Sequence, residues 1–296
     1  MRFRRSPVLI RGAGEHASAI AWHLQRAGFP VVMTELPEPL AIRREVAFSR
    51  ALRSGAWTVE GVTARLCCKP LRLDHQGAPG DLPPPAVTAR SLRAVRAAWR
   101  AGEIALVIDH GLAMLDLLPV FAIVDARMQK TATEAIRGRA PFTVAIGPGI
   151  RAGEHVDVVI ETERGHDLGR IIRAGEAAHD TAVPGEIAGE SVNRVTFAPV
   201  AGRFWAHVEI GQLVQRGDLL GVVEGEGEPQ TVVTRIAGRV RGLLADGAAI
   251  GAGTKLADVD PRGERIDPAT LSDKGRTIAA GVLTALLEAL DAQGKR

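Results

Sequence analysis

Apolar positions at the start of the chain run Val8-Leu9-Ile10 and stop at a glycine-bounded bend, Gly12-Ala13-Gly14. Beyond the bend Ala17, Ile20, Ala21 and Leu24 recur at helical spacing, with His23 and Arg26 on the polar side. The pattern predicts a strand, a tight turn and an amphipathic helix. Gly28 marks the end of that helix, and Val31-Val32-Met33-Thr34 predicts a second strand closed by Glu35. The order fits G-x-G-x-x-A. Gly12 permits the turn, Gly14 admits a pyrophosphate against the backbone, and Ala17 lets helix and strand pack closely, while Glu35 stands where an acid accepts from a ribose hydroxyl.

Further along, residues 40–53 predict a helix with Ile42, Val46 and Ala47 on one side and Arg43, Arg44 and Arg50 on the other. Residues 57–67 predict one or two strands hinged at Gly61, and the Pro- and Gly-dense stretch 74–85 predicts a loop. Thr88 or Ser91 caps a helix whose stripe is Leu92, Val95 and Trp99. Apolar runs at 104–108, 120–124, 142–146 and 156–160 predict strands covered on both faces. They end on Asp109, Asp125, Gly147-Pro148-Gly149 and Glu161.

A parallel sheet binds ligands beyond the carboxyl ends of its strands. Asp109, Asp125 and His166 are therefore the candidate catalytic residues, and Gly12, Ala13, Gly14, Glu35, Gly147, Gly149, Glu161, Arg127 and Lys130 the candidate cofactor-binding ones. A plain role as cap or solvated strand end stays open for each, and His166 equally caps a helix carrying Leu168, Ile171 and Ile172.

From Val195 the texture changes to short β-rich segments that repeat at an offset of 36: Ala201-Gly202-Arg203 returns as Ala237-Gly238-Arg239, and Gly217, Leu220 and Val223 return as Gly253, Leu256 and Val259. The sequence 210–220 resembles biotinyl/lipoyl carrier domains of the barrel-sandwich hybrid type. The joint between the copies, residues 224–230, lacks the lysine such carriers modify. Ile278, Val282, Leu286 and Ala289 then predict a terminal helix with one packed face. The resulting expectation is an α/β chain. A Rossmann-like, mostly parallel sheet with helices on both faces takes 1–185, a small all-β barrel-sandwich-like module 193–262, and a C-terminal helix 268–296.

Composition narrows the classes. Among 296 residues, 46% are hydrophobic and 24% charged, with a net charge of +3, as in ordinary globular proteins. Basic residues are scattered without interleaved aromatics, which argues against nucleic acid. Residues 111–124 contain Asp116 and Pro119 and fall short of a membrane span. No apolar core of a signal peptide precedes Arg11. The two cysteines, Cys67 and Cys68, are adjacent and cannot staple the fold, so a reducing, cytoplasmic setting is expected. No metal-ligand set is expected.

Several phrases together resemble the accessory proteins of the selenium-dependent molybdenum hydroxylase system, linked to molybdenum cofactor maturation. They are Ile10-Arg11-Gly12-Ala13-Gly14, Met33-Thr34-Glu35-Leu36-Pro37, Val124-Asp125-Ala126-Arg127-Met128, Ile146-Gly147-Pro148-Gly149, residues 160–170 and Ser272-Asp273-Lys274. The resemblance implies a cytoplasmic maturation factor with a molybdenum hydroxylase client. Its small-molecule partner would be a nucleotide-bearing ligand, the molybdenum cofactor or NAD, with the pyrophosphate on the first helix. Two other readings stay open: an NAD(P)-dependent oxidoreductase using His110 or His166, and a non-catalytic scaffold that docks a client enzyme.

Overall fold

A computed structural model of the chain describes residues 6–68, 87–129, 134–181 and 183–294. Lys130 and the 74–85 loop lie outside these residues. The chain opens with β1 (Val8–Arg11), α1 (Glu15–Ala27) and β2 (Val31–Glu35). Gly28, at φ 96°, takes the left-handed conformation that ends α1, a position where glycine carries no Cβ penalty. Two 3₁₀ turns and α2 (Ala51–Ser54) follow, then β3 (Ala56–Val59), β4 (Val62–Leu66) and α3 (Ala89–Arg100). Thr88 and Ser91 form the capping box of α3. Next come β5 (Ile104–Ile108), α4 (Met114–Leu117), β6 (Ala122–Asp125) and β7 (Phe142–Ile146), and then the short strands β8 (Arg151–Ala152), β9 (Val158–Ile160), β10 (Ile171–Ile172) and β11 (Gly175–Glu176).

Nine of these strands make one sheet in the order β10-β9-β7-β6-β1-β2-β5-β4-β3. Pairs from β9 to β4 are parallel, whereas β3 against β4 and β10 against β9 are antiparallel. Alternate residues of the central strands serve two cores. Ile10, Met33, Leu106, Val124 and Val144 face α1 and the terminal helix; Leu9, Val32, Ala105, Ile123 and Ala145 face α3 and α4. Strands buried on both sides read as unbroken apolar runs because neither set can be polar.

The repeat region contributes β12 (Val195–Phe197), β13 (Gly202–Ala206), β14 (Leu213–Val214), β15 (Leu219–Glu224), β16 (Gln230–Val233), β17 (Gly238–Leu243), β18 (Ala248–Ile250) and β19 (Lys255–Asp260). They form two antiparallel sheets, β12-β19-β17-β14 and β16-β15-β13-β18. Each copy lends its short strand to the other's sheet: β14 pairs with β17, and β18 pairs with β13. A shared core holds Phe204, Leu220, Val223, Val240, Leu256 and Val259. Finally α5 (Asp273–Gly294) returns to the large sheet, where Gly281 passes against the Gly169 backbone and Gly275 against Ala19 of α1.

This architecture corrects the expected one. The large sheet is mixed, with an antiparallel strand at each edge. Among the described residues, neither the β6–β7 nor the β7–β9 connection carries an α-helix. The later strands are not a separate barrel-sandwich-like module, because they dock on the first part through backbone. Leu243 N–H donates to the Ile42 carbonyl (2.7 Å), and Arg44 Nε donates to the Leu243 carbonyl (2.7 Å). Those tertiary bonds also replace the single helix expected over 40–53 with two 3₁₀ turns followed by the short α2.

Candidate functional site

The expected ligand bend is closed from within. Ala13 N–H donates to Glu35 Oε2 at 2.7 Å, and Leu36 N–H donates to Glu35 Oε1 at 2.8 Å. Burial raises the Glu35 carboxyl above its ordinary value, against the pull of these two amides. Gly12, at φ 94°, lies against the Ala126 carbonyl and the Arg127 side chain. Gly14 caps α1 without a side chain.

The other strand-end acids sit on the same sheet edge, and each is bound to the protein itself. Asp109 accepts from the amides of Gly111, Ala113 and Met114 (3.2, 3.0 and 2.8 Å), which fixes the turn into α4. Asp125 pairs with Arg11 at 3.3 Å and with Arg127 at 2.6 Å. Glu161 accepts from Thr162, Glu163 and Ala178 (2.6, 2.7 and 2.8 Å). Gly147, at φ 81°, leaves room for the Met128 sulfur and the Thr162 hydroxyl, and Gly149 also has positive φ. His166 is exposed on a turn, and the helix expected after it is strand β10 paired with β9. Buried polar groups must be satisfied, and these carboxylates do that for the backbone of their own loops.

The open space lies beside this edge, between the large sheet and the β12-β19-β17-β14 sheet. A cleft of about 880 Å³ is walled by the first turn of α1 (Glu15, His16), by Ala41–Arg43, by Thr162–Arg164, by residues 178–181 and 183–187, by β17 and β19, and by the start of α5. Six cationic side chains line it, Arg43, Arg164, Arg194, Arg241, Lys255 and Lys274, together with five carboxylates, Glu15, Glu163, Asp180, Glu186 and Asp258. The cations come from six places in the chain, which explains why no local motif announced them.

Four of the six are paired. Arg43 reaches Glu15 at 3.1 Å, and Arg164 holds both Asp273 oxygens at 2.6 and 3.0 Å. Arg194 and Arg241 share Asp258, each at 2.5 Å, and Arg241 also reaches Asp260, which Arg262 supports from behind. Asp258 is 2% exposed and Asp260 0%. Among the described residues, no carboxylate comes within ion-pair distance of the Lys255 or Lys274 ammonium. Arg43 is 6% exposed, yet its Nε has no hydrogen-bond partner in the structure, and the same holds for His16 Nδ1.

The electrostatics record this crowding. Burial alone would raise the Glu15 carboxyl, but Arg43, His16 and Arg241 outweigh it and hold it at about 2. His16 is lowered to about 4, first by burial, then by Lys274 and Arg43 against the pull of Glu15. Desolvation, followed by the neighbouring cations, also pulls Lys274 below its ordinary value; desolvation lowers Lys255 too, with Asp258 opposing it. Two ammoniums without an ion-pair partner and one orphaned guanidinium N–H are a chemistry that takes an anion. Among the described residues, no group of three His, Cys, Asp or Glu is placed to hold a metal ion.

No protein-family model matches the chain. Its sequence is 42% identical over 280 residues to an Escherichia coli K12 protein described as uncharacterized protein YqeB. The alignment takes in 95% of this chain and 47% of that one, so the chain spans about half the length of the curated relative it matches. Among solved structures, the chain is similar to the ectoine utilization protein EutE (DoeB) from Ruegeria pomeroyi in its apo form, at 14% identity over 86% of each chain, TM-score 0.26. It is also similar to a succinylglutamate desuccinylase/aspartoacylase from Rhodobacter sphaeroides, at 15% identity over 86% of this chain and 85% of that one, TM-score 0.25. An aspartoacylase family protein from Mesorhizobium loti matches at 13% identity over 86% and 84%, TM-score 0.26. At these TM-scores the likenesses carry no argument about chemistry. None of these descriptions concerns molybdenum cofactor maturation, a molybdenum hydroxylase or an NAD(P) oxidoreductase. The resemblance to the molybdenum hydroxylase accessory proteins is therefore set aside. With it go the nucleotide-binding reading of the Gly12–Gly14 bend, which Glu35 fills, and the oxidoreductase alternative. No helix among the described residues is long and apolar enough to cross a membrane.

Proposed function

We propose that the chain binds a small molecule carrying two or more negative charges in the cleft between the large sheet and the β12-β19-β17-β14 sheet. The observation that carries this reading is Arg43, a buried guanidinium in the cleft wall whose Nε has no hydrogen-bond partner. Leaving such a donor unmade costs about 1–3 kcal/mol, more for a charged group, and a carboxylate or phosphoryl oxygen would satisfy it. Lys255 of β19 and Lys274 of α5 add two more charges with no ion-pair partner among the described residues. The free thiols of Cys67 and Cys68 suit a reducing compartment, and we place the protein in the cytoplasm.

Isothermal titration with pyrophosphate, citrate and 2-oxoglutarate tests the reading. At least one is expected to bind more tightly than about 1 mM, roughly −4 kcal/mol, with an affinity that falls as salt rises. Lys255→Glu, which reverses an exposed charge at the cleft wall, should weaken that binding about tenfold or more. An affinity indifferent to Lys255→Glu, or no binding of any of the three, would falsify it.

A further inference from the structure

The chain has only five lysines, at positions 69, 130, 255, 274 and 295, against a large number of arginines. Both lysines among the described residues, Lys255 and Lys274, line the cleft. Where arginine is the habitual cation the choice of lysine matters chemically, because only an amine can lose its proton and act as a nucleophile.

Lys274 is placed for that role. It stands in the first turn of α5, where the partial positive charge of the helix end disfavours an ammonium. The acid beside it, Asp273, is turned to Arg164 through two hydrogen bonds, so Lys274 has no counter-ion within reach among the described residues. Its other neighbour, Gly275, lets α5 come close to α1. A Cβ at that position would lie 3.2 Å from Ala19 Cβ and 3.9 Å from His16 Nδ1. The imidazole of His16 therefore sits at the same helix start, with a buried ring nitrogen that nothing occupies. Burial and the facing Arg164 and Lys255 favour the neutral amine of Lys274, against the weaker pull of Glu15 and Glu161; burial, with Lys274 and Arg43, favours the neutral ring of His16 against Glu15. His16 and Lys274 line the same cleft at this helix start, which supplies a base and an amine as a nucleophile–base pair.

We propose that Lys274 forms an imine with the carbonyl of a small anionic oxo compound, a 2-oxo acid in its simplest form, and that His16 moves the proton. The inference rests on the anion-binding reading of the cleft, since Arg43 and Lys255 would hold the substrate's charged groups. Lys274 Nζ attacks the carbonyl carbon, forming a C–N bond, and the carbonyl oxygen takes up the electron pair. His16 carries a proton from nitrogen to that oxygen. The C–O bond then breaks, water leaves with both amine hydrogens, and a C=N bond remains; no oxidant or reductant takes part.

Trapping tests it. The full chain is incubated with pyruvate or 2-oxoglutarate and sodium cyanoborohydride, and the reduced adduct is located by peptide mass spectrometry. The expected result is one adduct per chain, on Lys274. The adduct is expected to be absent from Lys274→Arg and to form about a hundredfold more slowly in His16→Gln, the loss typical of a removed general base. Labelling that spreads over other lysines, or persists in Lys274→Arg, overturns the proposal. So does a wild-type protein that takes up no label. The titrations above separate the two readings: protein that binds 2-oxoglutarate but is never labelled keeps the anion site and loses the imine, while protein that does neither loses both.

Discussion

Ala13 N–H donates to the Glu35 carboxylate at 2.7 Å, so the first bend of the large sheet is held shut by the end of the neighbouring strand. The acid that a sequence reading assigns to a ribose instead serves the loop's own backbone. Glu35→Ala removes the acceptor for two amides, Ala13 and Leu36. It should destabilise the protein by about 1–3 kcal/mol, measured as a lower urea midpoint with an unchanged slope. Glu35→Gln keeps one acceptor oxygen and should cost less. If Glu35→Ala is as stable as the parent, the closed bend is not a structural element.

The buried charge network behind the cleft makes a larger prediction. Asp258 is 2% exposed and accepts from both Arg194 and Arg241 at 2.5 Å. Asp258→Asn removes the charge that both guanidiniums face, and breaking a buried pair this way typically costs about 3–5 kcal/mol. The same substitution removes one negative charge from the cleft lining, so whatever protein folds should bind pyrophosphate at least as tightly as the parent. Thermal unfolding and titration of one sample read both outcomes. A neutral stability effect would mean that the two arginines find other partners.

Some of this was legible in the sequence and some was not. The run Ile104–Ile108 reads as a strand because all five residues are buried, and the first helix follows from Ala17, Ile20, Ala21 and Leu24, all buried on one face. The offset-36 repeat was visible in the glycines and in Leu220/Leu256, but the exchange of β14 and β18 between sheets was not, since pairing partners leave no mark at that spacing. Leu168, Ile171 and Ile172 mimic a helix period, yet the last two pair with Val159 and Ile160. A short apolar run fits either period. The strand-end acids stand where the sequence places them, but Glu35, Asp109 and Glu161 are held by backbone amides and Asp125 by Arg11 and Arg127, partners that sequence does not display. The cleft was missed altogether, because Arg43, Arg194, Lys255 and Lys274 meet only through docking of the two parts. The scarcity of lysine was the one available clue.

Packing of α5 gives a prediction independent of any ligand. A side chain at Gly281 would collide with the Gly169 carbonyl and come within 3.0 Å of the Ile160 side chain. Gly281→Ala gains helix propensity of about 1 kcal/mol, while the forced shift of α5 away from β9 costs about 1–3 kcal/mol. The backbone contact cannot yield as a flexible side chain would, so the net effect should be destabilising. An apparent melting temperature above that of the parent would show that the helix slides without loss.

His16 makes stability depend on pH. Its folded pKa is about 4, below the ordinary 6.5, because burial disfavours the imidazolium, helped by Lys274 and Arg43. Between those two values the unfolded chain binds a proton that the folded chain does not, so stability rises with pH there. The contribution is complete above about pH 6.5, is lost as the pH falls toward 4, and is worth roughly 1–3 kcal/mol across that window. Glu15, held at about 2, stays ionised throughout and does not cancel the trend. Urea midpoints of the parent and His16→Gln, compared from pH 7 to pH 4, isolate this one group. The parent should lose stability faster than the variant on acidification. Parallel curves would place the His16 ring in water, and with it would go the desolvated environment that the proton transfer to a bound oxo acid needs.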